Sequence, residues 1–145
     1  MRTLAFGLVL LTVITACERR TVVTLEGGNP PTFALKGSGR LGEVVIYAPE
    51  QERIAGSDPF DYTYALWRIE PERDGEQAAA RVEDIHSITY GVVPRGYKQI
   101  KPDSGPPSPL SPGKRYRYWF VTVNAPHAAG YFEIRDGKAI PVKGP

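Results

Sequence analysis

Arg115-Tyr116-Arg117-Tyr118-Trp119-Phe120-Val121-Thr122-Val123-Asn124 is the stretch whose residue types point most directly to a fold. β-Branched and aromatic side chains pack well on a pleated surface, and successive side chains along a strand point to opposite faces. The stretch therefore reads as a strand, with Tyr116, Tyr118, Phe120 and Thr122 on one face and Arg117, Trp119, Val121 and Val123 on the other. Both faces are largely apolar. A sandwich strand normally keeps one face wet, so Trp119 and Val121 need cover from a loop, a short helix or a partner. They are the candidate binding surface.

Weaker signals of the same kind recur on either side. Thr21–Leu25, Thr32–Leu35, Glu43–Ala48, Tyr62–Ile69, His86–Val92, and Gly130–Ile134 followed by Lys138–Val142 all read as strands. Asp136-Gly137 lies between the last two and suits a tight hairpin turn. Trp67, on a central strand, belongs in the core. The 15 Gly and 14 Pro in 145 residues leave few uninterrupted stretches for helices. Only Glu76-Gln77-Ala78-Ala79-Ala80-Arg81-Val82-Glu83 favours a short helix, of about two turns. The expectation is an all-β sandwich of about seven strands in one domain, spanning residues 22–145, with one short helix.

Two intervals are expected to be irregular. Pro49–Asp61 reads as a polar loop, and Lys101–Pro109 is too rich in proline to donate a regular ladder of hydrogen bonds. The latter is expected to be an extended connector from one sheet to the other. Beyond it, Leu110-Ser111-Pro112-Gly113-Lys114-Arg115-Tyr116 resembles the corner that precedes the penultimate strand of fibronectin type III and related immunoglobulin-like sandwiches. The resemblance implies that Leu110, Pro112, Gly113 and Tyr116 form a structural tyrosine corner, with the Tyr116 hydroxyl bonded back to the connector. It implies a fold and no function, because such sandwiches host many activities.

The amino-terminal end carries a different message. Arg2 precedes an apolar run from Leu4 to Ile14, too short for a hydrocarbon core that needs roughly 20 residues and shaped like a secretory signal. The run ends in Ile14-Thr15-Ala16-Cys17, which resembles the lipobox of bacterial lipoproteins. The resemblance implies removal of a signal peptide, residues 1–16, and transfer of diacylglycerol to the Cys17 thiol, with acylation of the new amino terminus. Two or more acyl chains, at roughly 0.8 kcal/mol per buried CH₂, anchor a protein stably on a bilayer. Glu18 follows where an Asp retains enterobacterial lipoproteins at the inner membrane, which favours the outer membrane in a Gram-negative cell. Residues 17–21 then form the lipidated end and a tether, with Glu18, Arg19 and Arg20 spanning roughly 10–15 Å. Cys17 is the only cysteine, so the mature domain holds no disulfide and depends on apolar packing.

Motifs of chemistry are sparse. A formal charge of +2 with interspersed signs gives no footprint for nucleic acid. Gly37-Ser38-Gly39-Arg40-Leu41-Gly42 has dinucleotide-fingerprint spacing, but the residues after it propose a strand where a helix is needed, so it reads as a turn. His86 and His127 have unlike neighbours, and no metal-ligand spacing occurs. A hydrolase using His127, or His86 with Asp84 and Ser87 or Ser38, is the least favoured reading. The acids at Asp58 and Asp61, and at Glu70, Glu72, Asp74 and Glu76, read as solvated charge without EF-hand spacing. No cofactor is expected. The functional expectation is a non-enzymatic binding or structural module, held on a membrane by lipid and meeting another envelope protein. The alternative is a peptidoglycan or other glycan bound by exposed Tyr and Trp.

Overall fold

The computed structural model describes residues 20–49 and 60–144. The strands are β1 (Thr21–Gly27), β2 (Thr32–Gly37), β3 (Arg40–Tyr47), β4 (Ala65–Pro71), β5 (Ser87–Thr89), β6 (Tyr97–Lys101), β7 (Arg115–Val123), β8 (Ala128–Arg135) and β9 (Lys138–Val142). They form two antiparallel sheets, ordered β1-β2-β5 and β6-β4-β3-β7-β8-β9. The chain is thus an all-β sandwich, with nine strands among the described residues. The leader, the lipobox and Asp58 lie outside those residues.

The core is what the alternation of β7 demands. Tyr116, Phe120 and Thr122 are buried, and Phe33 of β2 reaches across from the small sheet to meet three rings of the large one. Its ring centroid lies 5.2 Å from Tyr118, 5.4 Å from Phe120 and 5.7 Å from Phe132, in the tilted and edge geometries aromatic pairs favour. Val44, Ile46, Trp67 and Ile69 extend this layer with no exposed surface. Trp67 is a core residue; its indole N–H donates to Gln99 Oε1 at 3.2 Å.

Several expectations are corrected. The strand expected over His86–Val92 spans only Ser87–Thr89, because Gly91, at φ +80°, turns the chain. The strand expected from Tyr62 starts at Ala65 and runs to Pro71. β6 was not foreseen; Tyr-Lys-Gln-Ile-Lys is too polar to announce a strand, and it forms as an edge paired with β4. The connector after it does not change sheets, since β6 and β7 belong to the same one; it passes the ends of β4 and β3 between them. The expected helix is broken into a 3-10 turn, Glu76–Ala78, and one α-helical turn, α1 (Val82–Ile85). Between them the backbone is drawn out by β3: the Leu41 amide donates to Ala80 O at 2.9 Å, and the Val82 amide to Gly39 O at 2.9 Å. Tertiary hydrogen bonds here outweigh an alanine-rich propensity.

Tyrosine hydroxyls stitch the irregular backbone to the sheets. Tyr97 donates to Leu41 O at 2.6 Å, and Tyr90 to Ser108 O at 2.8 Å. Burial penalises a phenolate, so it pushes the Tyr97 pKa up to about 12 and holds Tyr90 raised as well, with Tyr116 adding to the latter. Unfolded tyrosines ionise near pH 10. The folded state therefore keeps protons the unfolded state loses, and this part of the stability is present in full below about pH 10 and lost toward 12. Base titration should show tyrosinate absorbance rising together with loss of β circular dichroism in that window. Free ionisation of all tyrosines near pH 10 with the fold intact would refute this.

Candidate functional site

The outer face of the large sheet answers the question posed by Trp119 and Val121. Glu43, Val45 and Tyr47 alternate on this side of β3, and β7 places Val121, Trp119 and Arg117 opposite them in register. Glu43 is 8% exposed and had no signal in the sequence, since a lone acid in an apolar strand looks like a solvent-facing position. It is instead paired. Arg68 Nε bonds Glu43 Oε1, the Tyr62 hydroxyl donates to Glu43 Oε2 at 2.9 Å, and the Arg68 guanidinium lies 3.9 Å from the Tyr62 ring centroid. Glu70 continues the row, 3.3 Å from both Arg68 and Lys98. Glu70 is therefore an ion-pair partner on the sheet, more than the solvated charge expected of it. Burial alone would lower the Arg68 pKa, but the hydrogen bond and charge of Glu43 outweigh it and hold the pKa raised. Burial, with Tyr62 and Glu43 next, pushes the Tyr47 hydroxyl up.

Trp119 and Val121 are half-buried at the edge of this polar cover. The Arg117 guanidinium lies 5.0 Å from the Trp119 ring, and the His127 ring is 5.8 Å away. A sugar stacking on Trp119 has these neighbours to displace. The Trp119 indole nitrogen is buried without a hydrogen-bond partner, as is the hydroxyl of Thr21.

Both histidines serve the backbone. His86 has a positive φ, +62°, at the end of α1, and its carbonyl accepts the Leu35 amide at 2.7 Å. His127 Nδ1 accepts the Thr122 amide at 3.1 Å. An amide only donates, so this nitrogen carries no proton and the neutral ring is protonated at Nε2. His127 borders a cleft of about 440 Å³ lined also by Arg20, Thr21, Val22, Val23, Tyr118 and Ala128. Among the described residues its lining holds no Ser and no carboxylate. Among the described residues no group of three or more His, Cys, Asp and Glu is placed to hold a metal ion.

The glycine run Gly37 to Gly42 ends β2 and starts β3, crossing between sheets, and Gly42 marks a bulge in the β3–β7 pairing. At the corner, Leu110 and Tyr116 are buried, Gly113 has φ +71°, and the Ser111 amide donates to the Tyr116 hydroxyl at 2.8 Å. Pro112 is exposed beside them. Tyr116→Phe is expected to lower the unfolding free energy by about 0.5–1.5 kcal/mol in urea melts, the worth of one such hydrogen bond. An unchanged midpoint would show that water replaces the phenol at no loss. No family model, no curated protein and no solved structure matches this chain.

Proposed function

We propose that this chain is a membrane-anchored envelope lipoprotein whose sandwich domain is a non-enzymatic binding module. The observation that carries the reading is the lipobox Ile14-Thr15-Ala16-Cys17, with only Glu18, Arg19 and Arg20 between its cysteine and Thr21, the first residue of β1. Acyl chains on Cys17 would hold this end of β1 within roughly 10–15 Å of lipid. The cleft beside His127 is lined by Arg20 and the first residues of β1, so it lies at the same end. A partner would meet the domain close to the bilayer, and the outer membrane is the favoured one in a Gram-negative cell.

Cys17→Ser tests the anchor in the native host. Loss of the protein from the membrane fraction, with retention of the uncleaved leader by mass, is the expected outcome. Membrane association and mass both unaffected by the substitution would reject it.

A further inference from the structure

We propose that the cleft between β1 and β8 binds an extended polypeptide by strand addition to β1, with a carboxylate of that peptide held by Arg20 and the Nε2–H of His127. The inference deepens the binding-module reading and rests on it.

The backbone comes first. The Leu35 amide of β2 donates toward β5, to His86 O. Amide direction alternates along a strand, so Ala34 and Lys36 face β1 and pair with Thr24 and Val22. The alternate residues of β1, Thr21 and Val23, then turn their N–H and C=O groups to the other side, where β1 has no strand neighbour among the described residues. On β8, the Ile134 carbonyl accepts from Gly113 beside β7, so Arg135, Glu133 and Tyr131 face β9. Ala129 faces the same way, but the β8–β9 pairing stops at Tyr131–Val142. Two stretches of unpaired strand edge therefore border the same cleft. At the other end of β1 the gap is closed by the Ala139 amide, which donates to Gly28 O at 2.9 Å. The cleft is a wedge that opens toward Arg20 and His127.

Natural sheets blunt their edges with proline, lysine or shortness. β9 contains Pro141, β6 carries Lys98 and Lys101 and is followed by Pro102, and β5 is three residues long. β1 has seven residues and no proline or lysine, and its charged residue Glu26 and its bulge between Leu25 and Gly27 lie at the end away from Arg20. Its inward side chains Val23 and Leu25, with Tyr118 and Ala128 across the cleft, pack at the rim of the core. An apolar side chain from an added strand would extend that core. Main-chain pairing with pockets for alternate side chains is an established way to recognise peptides.

Charge selects the ligand further. Among the described residues that line it, Arg20 is the cationic side chain, His127 and Tyr118 are the other titratable ones, and there is no acid. A carboxylate is the complementary group, from a chain terminus or from an acidic side chain.

The test uses full-length protein in detergent and fluorescence anisotropy with four labelled peptides: Gly-Ser-Val-Ser-Val as the free acid, the same as its amide, Gly-Ser-Val-Ser-Asp amide, and the free acid with its backbone amides N-methylated. Saturable binding of a carboxylate-bearing peptide is expected, with the first and third distinguishing terminal from side-chain carboxylate. The uncharged amide and the N-methylated acid should each bind about tenfold more weakly, the worth of a charge-assisted or paired set of hydrogen bonds. Arg20→Ala, at an exposed position, should weaken binding by about the same factor. Thr24→Ala, exposed on β1 and outside the cleft lining, should leave it unchanged. Absence of saturable binding by both carboxylate-bearing peptides overturns the proposal, as does binding of the uncharged amide equal to that of the tighter carboxylate-bearing peptide. So does sedimentation as a dimer that Val23→Pro dissolves, which would assign the edge to a second copy. None of these results depends on lipidation, so failure here is distinct from failure of the anchor.

Discussion

Phe33→Ala is expected to lower the unfolding free energy by about 3–5 kcal/mol, the range for emptying a fully buried aromatic site. Phe33 has no exposed surface, and its three ring contacts are all to the large sheet. The small sheet has only three strands, and two buried residues of β2, Phe33 and Leu35, belong to the common core. Removing the larger one leaves a cavity bounded by Tyr118, Phe120 and Phe132, whose backbones are fixed in the β7–β8 pairing and cannot collapse onto it. Urea denaturation of the purified variant gives the number. Val22→Ala is the control: on the solvent face of β1, at 44% exposure, it should cost within about 0.5 kcal/mol. A loss below about 1 kcal/mol for Phe33→Ala would mean that the sheets are not held together through this ring.

The second large effect is expected from one methyl group. A Cβ added at Gly37 would sit 2.0 Å from the carbonyl oxygen of Arg20 and 2.9 Å from its carbonyl carbon, with φ at +127°. Both obstacles are backbone, and an L side chain rarely adopts that φ. Gly37→Ala should therefore cost about 3 kcal/mol or more, combining backbone strain with an overpacked contact. Gly113→Ala separates the two terms. Gly113 also has a positive φ, +71°, but a Cβ there meets nothing within 4 Å, so a loss of about 1 kcal/mol is expected. Equal losses for the two variants would show that conformation alone decides, and that β1 and the β2 terminus are not in the close contact described.

The contrast also shows which features are legible in a sequence. The identity of β7, the core position of Trp67 and the Asp136-Gly137 hairpin follow from local pattern, and the structure has all three. β6 escaped because an edge strand needs little apolar surface, and Lys98, Gln99 and Lys101 satisfy themselves with polar partners. The helix around Ala78–Ala80 failed because the amides of Leu41 and Val82 claim or replace its bonds, a contact some forty residues away in the chain. Glu43 was invisible for a related reason: nothing near it in sequence announces Arg68 or Tyr62. The cleft is less legible still. It is made of backbone directions and strand ends, and those depend on register, which no single segment records. His127 was visible as a residue, but its role as acceptor for Thr122, and hence which ring nitrogen is left to donate, required the turn geometry.

The proline-rich connector has a consequence for how this chain can change. Gln99 donates to the carbonyls of Pro102 and Gly105, each at 2.8 Å, and Tyr90 to that of Ser108. Every amino acid owns a carbonyl. Exposed side chains along the connector, such as Asp103, Ser104 and Ser108, are therefore free to drift, while Gln99 and Tyr90, which lie outside it, are the letters that descendants of this sequence must keep.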